Sequence, residues 1–371
     1  MKNKNILIVS PYFYPEGGGL ELYTFKIADH LAKKNNVTVI CATKKETKTE
    51  DMGFRVIRKH PDFFISNTPI NLNLKKEIEL IAEQQKIELI TAHTPVPFYA
   101  DMSAEIAKKL NIPFVLHYHS SSLYKGSTLI DAIAFVYEKL FEKKIFKIAK
   151  KIIPDSYYLP LEKKLAEYKY KISVVPSFVD LNEFRVSTLK KKEILFVGQL
   201  NKAHRWKGLD NLLKAFSIFC RKNPEYKLIV VGDGDYRAHY EKTAKKINIK
   251  NKVNFVGKLS REQIKFFYQT CSFVVVPSIS NVEGTPTVLF EAMASGKPIV
   301  AGRAGGIPYI IEKEKCGMIT DAKKINDLAE KMDRLANDEN LYKKFSANCL
   351  KNVMKYDSAT KIKKIEKIYE S

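Results

Sequence analysis

One stretch near the C-terminal end constrains the chain more than any other. Val274-Val275-Val276-Pro277-Ser278 is followed by a short loop, then by Glu283-Gly284-Thr285-Pro286-Thr287-Val288-Leu289-Phe290-Glu291-Ala292-Met293-Ala294-Ser295-Gly296-Lys297-Pro298-Ile299-Val300-Ala301. The pattern predicts buried strand, loop, helix, turn and buried strand. Thr285 suits an N-cap and Pro286 the first helical position. Backbone N–H groups at such a terminus favour an anion, for example a diphosphate. Glu291 then lies roughly 7.5 Å along the helix axis from Pro286, within reach of a sugar attached to that diphosphate. Glu283, before the helix, can address a group on the other side of the phosphates. Neither the Glu-Gly-Thr-Pro entry nor the Gly-Lys-Pro exit is something helix stability alone requires.

The chain has 371 residues, enough for about two domains. Its hydrophobic fraction of 45% supports real cores. Five cysteines (Cys41, Cys220, Cys271, Cys316 and Cys349) are scattered without a CxxC pair, which argues against a disulfide framework or a zinc site. A reducing, cytoplasmic compartment is expected. The apolar stretch Ile6–Val9 is too short for a signal peptide, and no apolar run has the length of a membrane span. The formal charge of +22 is carried by both halves, with the larger share in the second. A basic surface suits anionic partners such as nucleotide sugars or membrane headgroups; a Lys-rich composition accounts for it as well. Because the charge is spread over both halves, a nucleic-acid-binding module is disfavoured.

The two halves repeat one pattern. The first opens with the strand Ile6–Val9, the turn Gly17-Gly18-Gly19, a helix from Glu21 to Lys33 and the strand Val37–Cys41. Apolar runs follow at Ile87–Thr91, Phe114–His117, Ile152–Pro154 and Ile172–Val175, with helical stretches at Lys75–Gln85 and Ala104–Leu110 between them. The second half begins again with Ile194–Gly198. It continues through a helix at Leu209–Arg221, a strand at Leu228–Val231, a helix at Tyr236–Ile247, a strand at Val253–Val256 and a helix at Arg261–Cys271 before the unit described above. Alternation of this kind predicts an α/β fold with two mostly parallel sheets, each covered by helices on both faces. The link near Leu181–Lys192 is expected to be short, with Lys190-Lys191-Lys192 solvated.

The Glu283…Glu291 unit resembles the signature of the retaining glycosyltransferases of family 4, Glu-x7-Glu in a strand–loop–helix–strand setting. The resemblance covers most of the second half and, more loosely, the first. It implies two facing Rossmann-like domains (the GT-B fold): an acceptor domain at 1–182, a nucleotide-sugar donor domain at 183–357, and a final helix at 358–371 returning to the first domain. It implies that Glu291 meets the nucleotide ribose, that Glu283 meets the transferred sugar, and that Gly284, Thr285, Pro286, Thr287 and Val288 surround the phosphates. A family Gly-Gly-x-Glu facing the donor is matched by Gly18, Gly19 and Glu21. The family Lys-Gly ahead of a helix is matched by Lys207-Gly208. The arginine common after the preceding glycine is replaced by Gln199, and Arg205 is a substitute for its charge. Gly232, in Gly232-Asp233-Gly234, corresponds to a turn beside the nucleotide. In Ala304-Gly305-Gly306-Ile307-Pro308 the usual acidic residue after the proline is Tyr309. In Pro176-Ser177-Phe178-Val179-Asp180 an Asn-Gly is replaced by Ser177-Phe178. A histidine by the anomeric carbon and acceptor is best matched by His119; His93 reads as structural.

These residues imply catalysis by His119 and Glu283, and the expectation is a reaction without cofactor and without metal. Arg205, Lys207 and helix amides would stabilise the departing diphosphate, of UDP or GDP type. The expected acceptor is a glycan or a lipid-linked glycan. The segment Tyr124–Lys151 alternates apolar residues with lysines at 139, 143, 144, 147, 150 and 151. Such a helix can lie on the inner face of a membrane or pack on the first domain with its lysines in water. Competing enzyme readings are a sugar-nucleotide epimerase of the same architecture and a phosphorylase. The second needs a pyridoxal phosphate site and a far longer chain.

Overall fold

A computed structural model describes residues 2–65, 68–94, 96–119, 135–187 and 189–371. The chain divides into two compact units, one of residues 1–177 with 359–371, the other of residues 178–358.

The first unit is built on a seven-stranded sheet. Its strands are β1 (Asn5–Ser10), β2 (Asn36–Ala42), β3 (Lys48–Asp51), β4 (Arg55–Lys59), β7 (Leu89–His93), β8 (Phe114–Tyr118) and β9 (Lys151–Pro154), in the order β3-β4-β2-β1-β7-β8-β9. A separate hairpin joins β5 (Phe63–Ile65) to β6 (Thr68–Ile70). All pairings in the large sheet are parallel except β3 with β4. Ile6, Leu7, Ile8 and Val9 are all fully buried, as a central strand covered on both faces requires. Helix α1 (Gly19–Ala32) presents Tyr23, Thr24, Ile27, Ala28 and Leu31 inward, the three-and-four spacing of one helical face. α2 (Leu74–Gln84) and α3 (Ala100–Lys109) complete the layer over β7 and β8. Strand order reverses beside β1: the chain first moves outward through β2, then returns to place β7 on β1's other side.

Two sequence expectations change here. Ile172–Val175 does not form a strand; it makes one bridge, Ile152 to Ile172, with Ser173 N–H and Val175 N–H donating to Ile152 and Pro154. Pro154 and Pro176 have no N–H to extend the ladder. The β3–β4 pair and the β5–β6 hairpin, short and polar or exposed, were not anticipated. Of the amphipathic segment Tyr124–Lys151, the residues up to 134 lie outside the described residues. Residues 138–142 form a π-helical turn leading into α4 (Lys143–Ile148).

The second unit holds six parallel strands in the order β12-β11-β10-β13-β14-β15. They are β10 (Glu193–Val197), β11 (Lys227–Val231), β12 (Val253–Gly257), β13 (Phe273–Val276), β14 (Ile299–Gly302) and β15 (Gly317–Thr320). α5 (Leu209–Lys222), α6 (Arg237–Lys246), α7 (Arg261–Thr270), α8 (Thr287–Ala294), α9 (Ile307–Glu314), α10 (Ile325–Asn337) and α11 (Glu339–Val353) connect and cover them. The order reverses between β10 and β13, where ligands bind in open α/β sheets. α12 (Ser358–Glu370) belongs, from Ala359 onward, to the first unit. The lysines at 190–192 are less free than expected of a solvated connection: their ammonium groups sit over Tyr342, Phe266 and Tyr226, at 3.4, 4.8 and 5.0 Å from the ring centres.

Candidate active site

In the second unit the loop after β13 and the loop before α5 are locked together. Gly208 has a φ of +77° and passes so close to the Pro277 carbonyl that a side chain would collide with it. Ile279 N–H donates to Trp206 O at 2.9 Å. This packing delivers Lys207 to Glu283: Nζ lies 3.2 Å from Oε2, and Ser278 Oγ donates to the same oxygen at 2.7 Å. Gly305, at φ +49°, lies against the Glu283 carbonyl, and Gly306 N–H donates to Gly284 O at 3.0 Å. Glu283 is thus buried and held on three sides.

The residue immediately ahead of α8 is Pro286 rather than Thr285, in extended conformation (φ −67°, ψ 135°), so the helix starts one residue later than the sequence suggests. Proline's ring fixes φ near this value, and its missing N–H costs nothing at a cap. The first bond to the Pro286 carbonyl comes from Leu289 at 3.1 Å. The N–H groups of Thr287 and Val288 precede it and have no helical carbonyl. Thr285 is only 5% exposed, and its Oγ1 has no hydrogen-bond partner among the described residues. A buried hydroxyl of this kind, next to the first turn of a helix, is one that a water or a polar ligand can satisfy.

Glu291, one and a half turns into α8, is buried and shared. Arg261 NH1 pairs with Oε1, and Tyr268 OH donates to Oε2 at 2.6 Å. Arg261 Nε also donates to Glu183 Oε2 at 2.7 Å. Burial works against the Arg261 charge, but Glu291 and Glu183 outweigh it and hold its pKa up. Burial and the Glu291 charge push the Tyr268 phenol well above its ordinary value. Sequence reasoning did not find Arg261, Tyr268 or Ser278; only the capping box at Ser260, which fixes the start of α7, hints at where Arg261 points.

The two cations of the 204–207 loop are separated. Lys207 turns to Glu283, whereas the Arg205 guanidinium stacks over Tyr236 at 5.5 Å. Gly232, at the carboxyl end of β11, has its N–H bonded to Gly257 O at 2.9 Å and its backbone against Gly198. The remaining expected residues are in the first unit. Glu21 reaches back within α1, accepting from Gly18 N–H at 2.5 Å, and so occupies the helix N-terminus that Gly18 and Gly19 open.

His119 stands just past the end of β8 in a buried cluster. His119 Nδ1 is 2.8 Å from Asp155 Oδ2, and its Nε2 is 3.0 Å from His93 Nδ1. His117 bonds Tyr23 OH through Nδ1 at 3.2 Å and Tyr369 OH through Nε2 at 2.7 Å. Burial first, then the neighbouring imidazoles, press the pKa values of His93 and His117 well below the usual range. Burial raises Tyr23 and Tyr369. The ligand atoms of His93, His117 and His119 lie within 4.8 Å of one another. The rings are nearly parallel, with interplanar angles of 21°, 10° and 16°, and His93 stacks on His117 at 4.6 Å. Lone pairs lie in the ring planes, so those of stacked rings do not converge on one tetrahedral centre. The arrangement suits a hydrogen-bond chain rather than a metal.

Residues 17–183 match the family described as Glycosyltransferase Family 4, and residues 180–351 match Glycosyl transferases group 1. An uncharacterized glycosyltransferase of Haemophilus influenzae is 27% identical over 350 residues, covering 89% of this chain and 90% of the relative. Sucrose-phosphate synthase from Thermosynechococcus elongatus superposes with a TM-score of 0.79 at 20% identity, over 99% of this chain and 98% of that one. HepE of Anabaena, solved with UDP and glucose, superposes with a TM-score of 0.76 at 19% identity, over 98% and 99% of the two chains. The chain belongs with the family-4 glycosyltransferases and has their GT-B fold.

Proposed function

We propose that this glycosyltransferase moves a sugar from a nucleoside diphosphate sugar to a glycan or glycolipid acceptor, with retention of configuration and without a metal ion. The observation that carries the reading is the α8 N-terminus: unpaired helix amides, the unpartnered Thr285 hydroxyl, and Lys207 held on Glu283. Amides and the Lys207 ammonium would carry the charge that develops on the departing diphosphate. Glu283 would hold hydroxyls of the transferred sugar, and Glu291, oriented by Arg261 and Tyr268, would use its remaining lone pairs on the ribose. Because HepE is solved with UDP, a uridine nucleotide is the first choice of donor.

A peripheral membrane contact at the cytoplasmic face is part of the proposal. Phe135, Val136 and Leu140 are exposed next to Lys139, Lys143, Lys144 and Lys147, the mixture an anionic interface attracts. Among the described residues no helix is long and apolar enough to cross a membrane.

Thermal shift against UDP, GDP, ADP and a short RNA tests the reading. Stabilisation by one nucleoside diphosphate is expected; a response to RNA alone would replace the reading with nucleic-acid binding. Release of an altered nucleotide sugar without acceptor would make the enzyme an epimerase.

A further inference from the structure

Both faces of the β5–β6 hairpin in the first unit carry exposed apolar side chains. Phe63, Phe64 and Ile65 make up β5, and they are exposed to 47%, 40% and 43%. Consecutive residues of a strand face opposite ways, so neither face of β5 is packed on the unit. The base of the hairpin is fastened. Asp62 N–H donates to Ile70 O at 2.8 Å, Leu72 N–H donates to Asp62 Oδ2 at 2.9 Å, and Pro69 and Ile70 are buried. Leu72, at the same base, is also exposed. Apolar surface held out in water gains nothing from folding, and where it is contiguous it marks a place of interaction.

The hairpin and the segment Phe135–Leu140 leave the same edge of the sheet. The hairpin follows β4, and Lys59 at the end of that strand pairs with Glu77 in the first turn of α2 at 2.7 Å. Tyr137 OH donates to Asp101 Oδ1 in the first turn of α3 at 2.7 Å. Tyr118, the last residue of β8, donates to Glu142 Oε1 at 2.9 Å. Both apolar groups therefore stand past the carboxyl ends of the strands, where α2 and α3 begin. β4 and β8 are four places apart in the sheet order, roughly 19 Å. Exposed lysines accompany both groups: Lys76 in the first turn of α2, and Lys139, Lys143 and Lys147 in the second segment. None of the four has a carboxylate partner among the described residues.

We propose that the β5–β6 hairpin inserts into an anionic lipid bilayer as a second point of contact beside residues 135–147, so that the carboxyl edge of this sheet faces the membrane. The inference rests on the peripheral contact proposed above and adds residues of its own to it. Charge decides between a bilayer and a second copy of the chain. A net charge of +22 sets two copies against each other and draws each towards anionic headgroups. Area decides the same way. Three side chains exposed to this extent offer roughly 250 Å², well short of the ~800 Å² per partner of a stable protein pair. A bilayer needs no matching surface, and its hold grows with the apolar area inserted and the cations beside it. Two separated contacts also fix a tilt that one helix leaves free.

Sedimentation of the full chain with vesicles of phosphatidylcholine alone, or mixed equally with phosphatidylglycerol, tests the proposal. Wild type should pellet with the mixed vesicles and be released by salt. Phe63→Ser, Phe64→Ser and Ile65→Ser together should weaken that binding about 10-fold. Phe64→Trp keeps an aromatic ring there. The emission it adds to that of Trp206 should shift to the blue on binding and be quenched by brominated acyl chains. Added emission that stays unquenched in a chain that still pellets would overturn the proposal and leave residues 135–147 as the contact. A wild-type chain that pellets with neither vesicle would overturn the peripheral contact as well, while nucleoside diphosphate binding, measured separately, would stand. A dimer that the triple substitution splits, with vesicle binding unchanged, would make the hairpin a surface for a second copy instead.

Discussion

Lys207 Nζ lies 3.2 Å from Glu283 Oε2, so the cation assigned to the leaving group is aimed by the carboxylate assigned to the sugar. Both side chains are largely buried, and Ser278 holds the carboxylate from its other side. Such preorganisation lowers the reorganisation a reaction must undergo. Lys207→Ala is expected to weaken nucleoside diphosphate binding and to remove about 2–4 kcal/mol of transition-state stabilisation. Calorimetry and kcat/KM measure the two effects. Wild-type values for both would take Lys207 out of the site.

The two glutamates should separate in effect. Glu283→Gln is expected to leave affinity for the free nucleoside diphosphate unchanged and to lower the rate of transfer. Glu291→Gln should mainly weaken nucleotide binding. Calorimetry with the free nucleotide and a transfer assay on both variants check this, and equal behaviour of the two would dissolve the distinction.

Arg261 is the residue on which the second of those effects depends. Arg261→Met removes a guanidinium that bridges Glu183 and Glu291, leaving Glu291 buried with Tyr268 as its remaining partner. A loss of about 2–3 kcal/mol in urea unfolding is expected, together with weaker nucleotide binding. A variant as stable as wild type would show that the pair is energetically idle.

What the sequence disclosed follows from range. The parallel sheets were legible because buried strands such as Ile6–Val9 and Phe273–Val276 are apolar throughout, and the Glu283–Glu291 unit because its parts are contiguous. Arg261 was not legible: it meets Glu291 from thirty residues away, and nothing local to either marks the pairing. Asp155 and Tyr369 were invisible for the same reason, being 36 and 252 residues from their histidine partners. The direction of Arg205 was not legible, because adjacency to Lys207 along the loop does not say which side its guanidinium takes, and it stacks over Tyr236.

Acid should destabilise the first unit through its imidazoles. His93 and His117 have folded pKa values depressed by burial, whereas an unfolded histidine titrates near 6.5. Below that value the unfolded chain binds more protons than the native one, so stability present at neutral pH is lost as pH falls. Each of the two contributes a slope of about 1.4 kcal/mol per pH unit until its folded pKa is reached. Urea midpoints between pH 8 and pH 5 measure it. His117→Gln should flatten the curve; an unchanged curve would show that the cluster does not titrate this way.

Metal chelation and stereochemistry form the last test. Transfer should survive EDTA, because the groups proposed for the diphosphate are the Lys207 ammonium and backbone N–H donors. The product anomer, read by NMR, should keep the donor's configuration. Loss of activity in EDTA with recovery on Mg²⁺ would reveal a ligand set outside these residues, and an inverted linkage would overturn the proposed mechanism.

Tyr369 OH caps His117 from α12, and that helix leaves the ribosome only after the whole second unit has been synthesised. The polar cluster of the first unit therefore stays incomplete through most of translation, with His117 Nε2 lacking its phenol. A half-made chain can fold a sheet but not finish this cluster. The order of synthesis thus completes the first unit's histidine cluster last, after the unit assigned to the donor is already made.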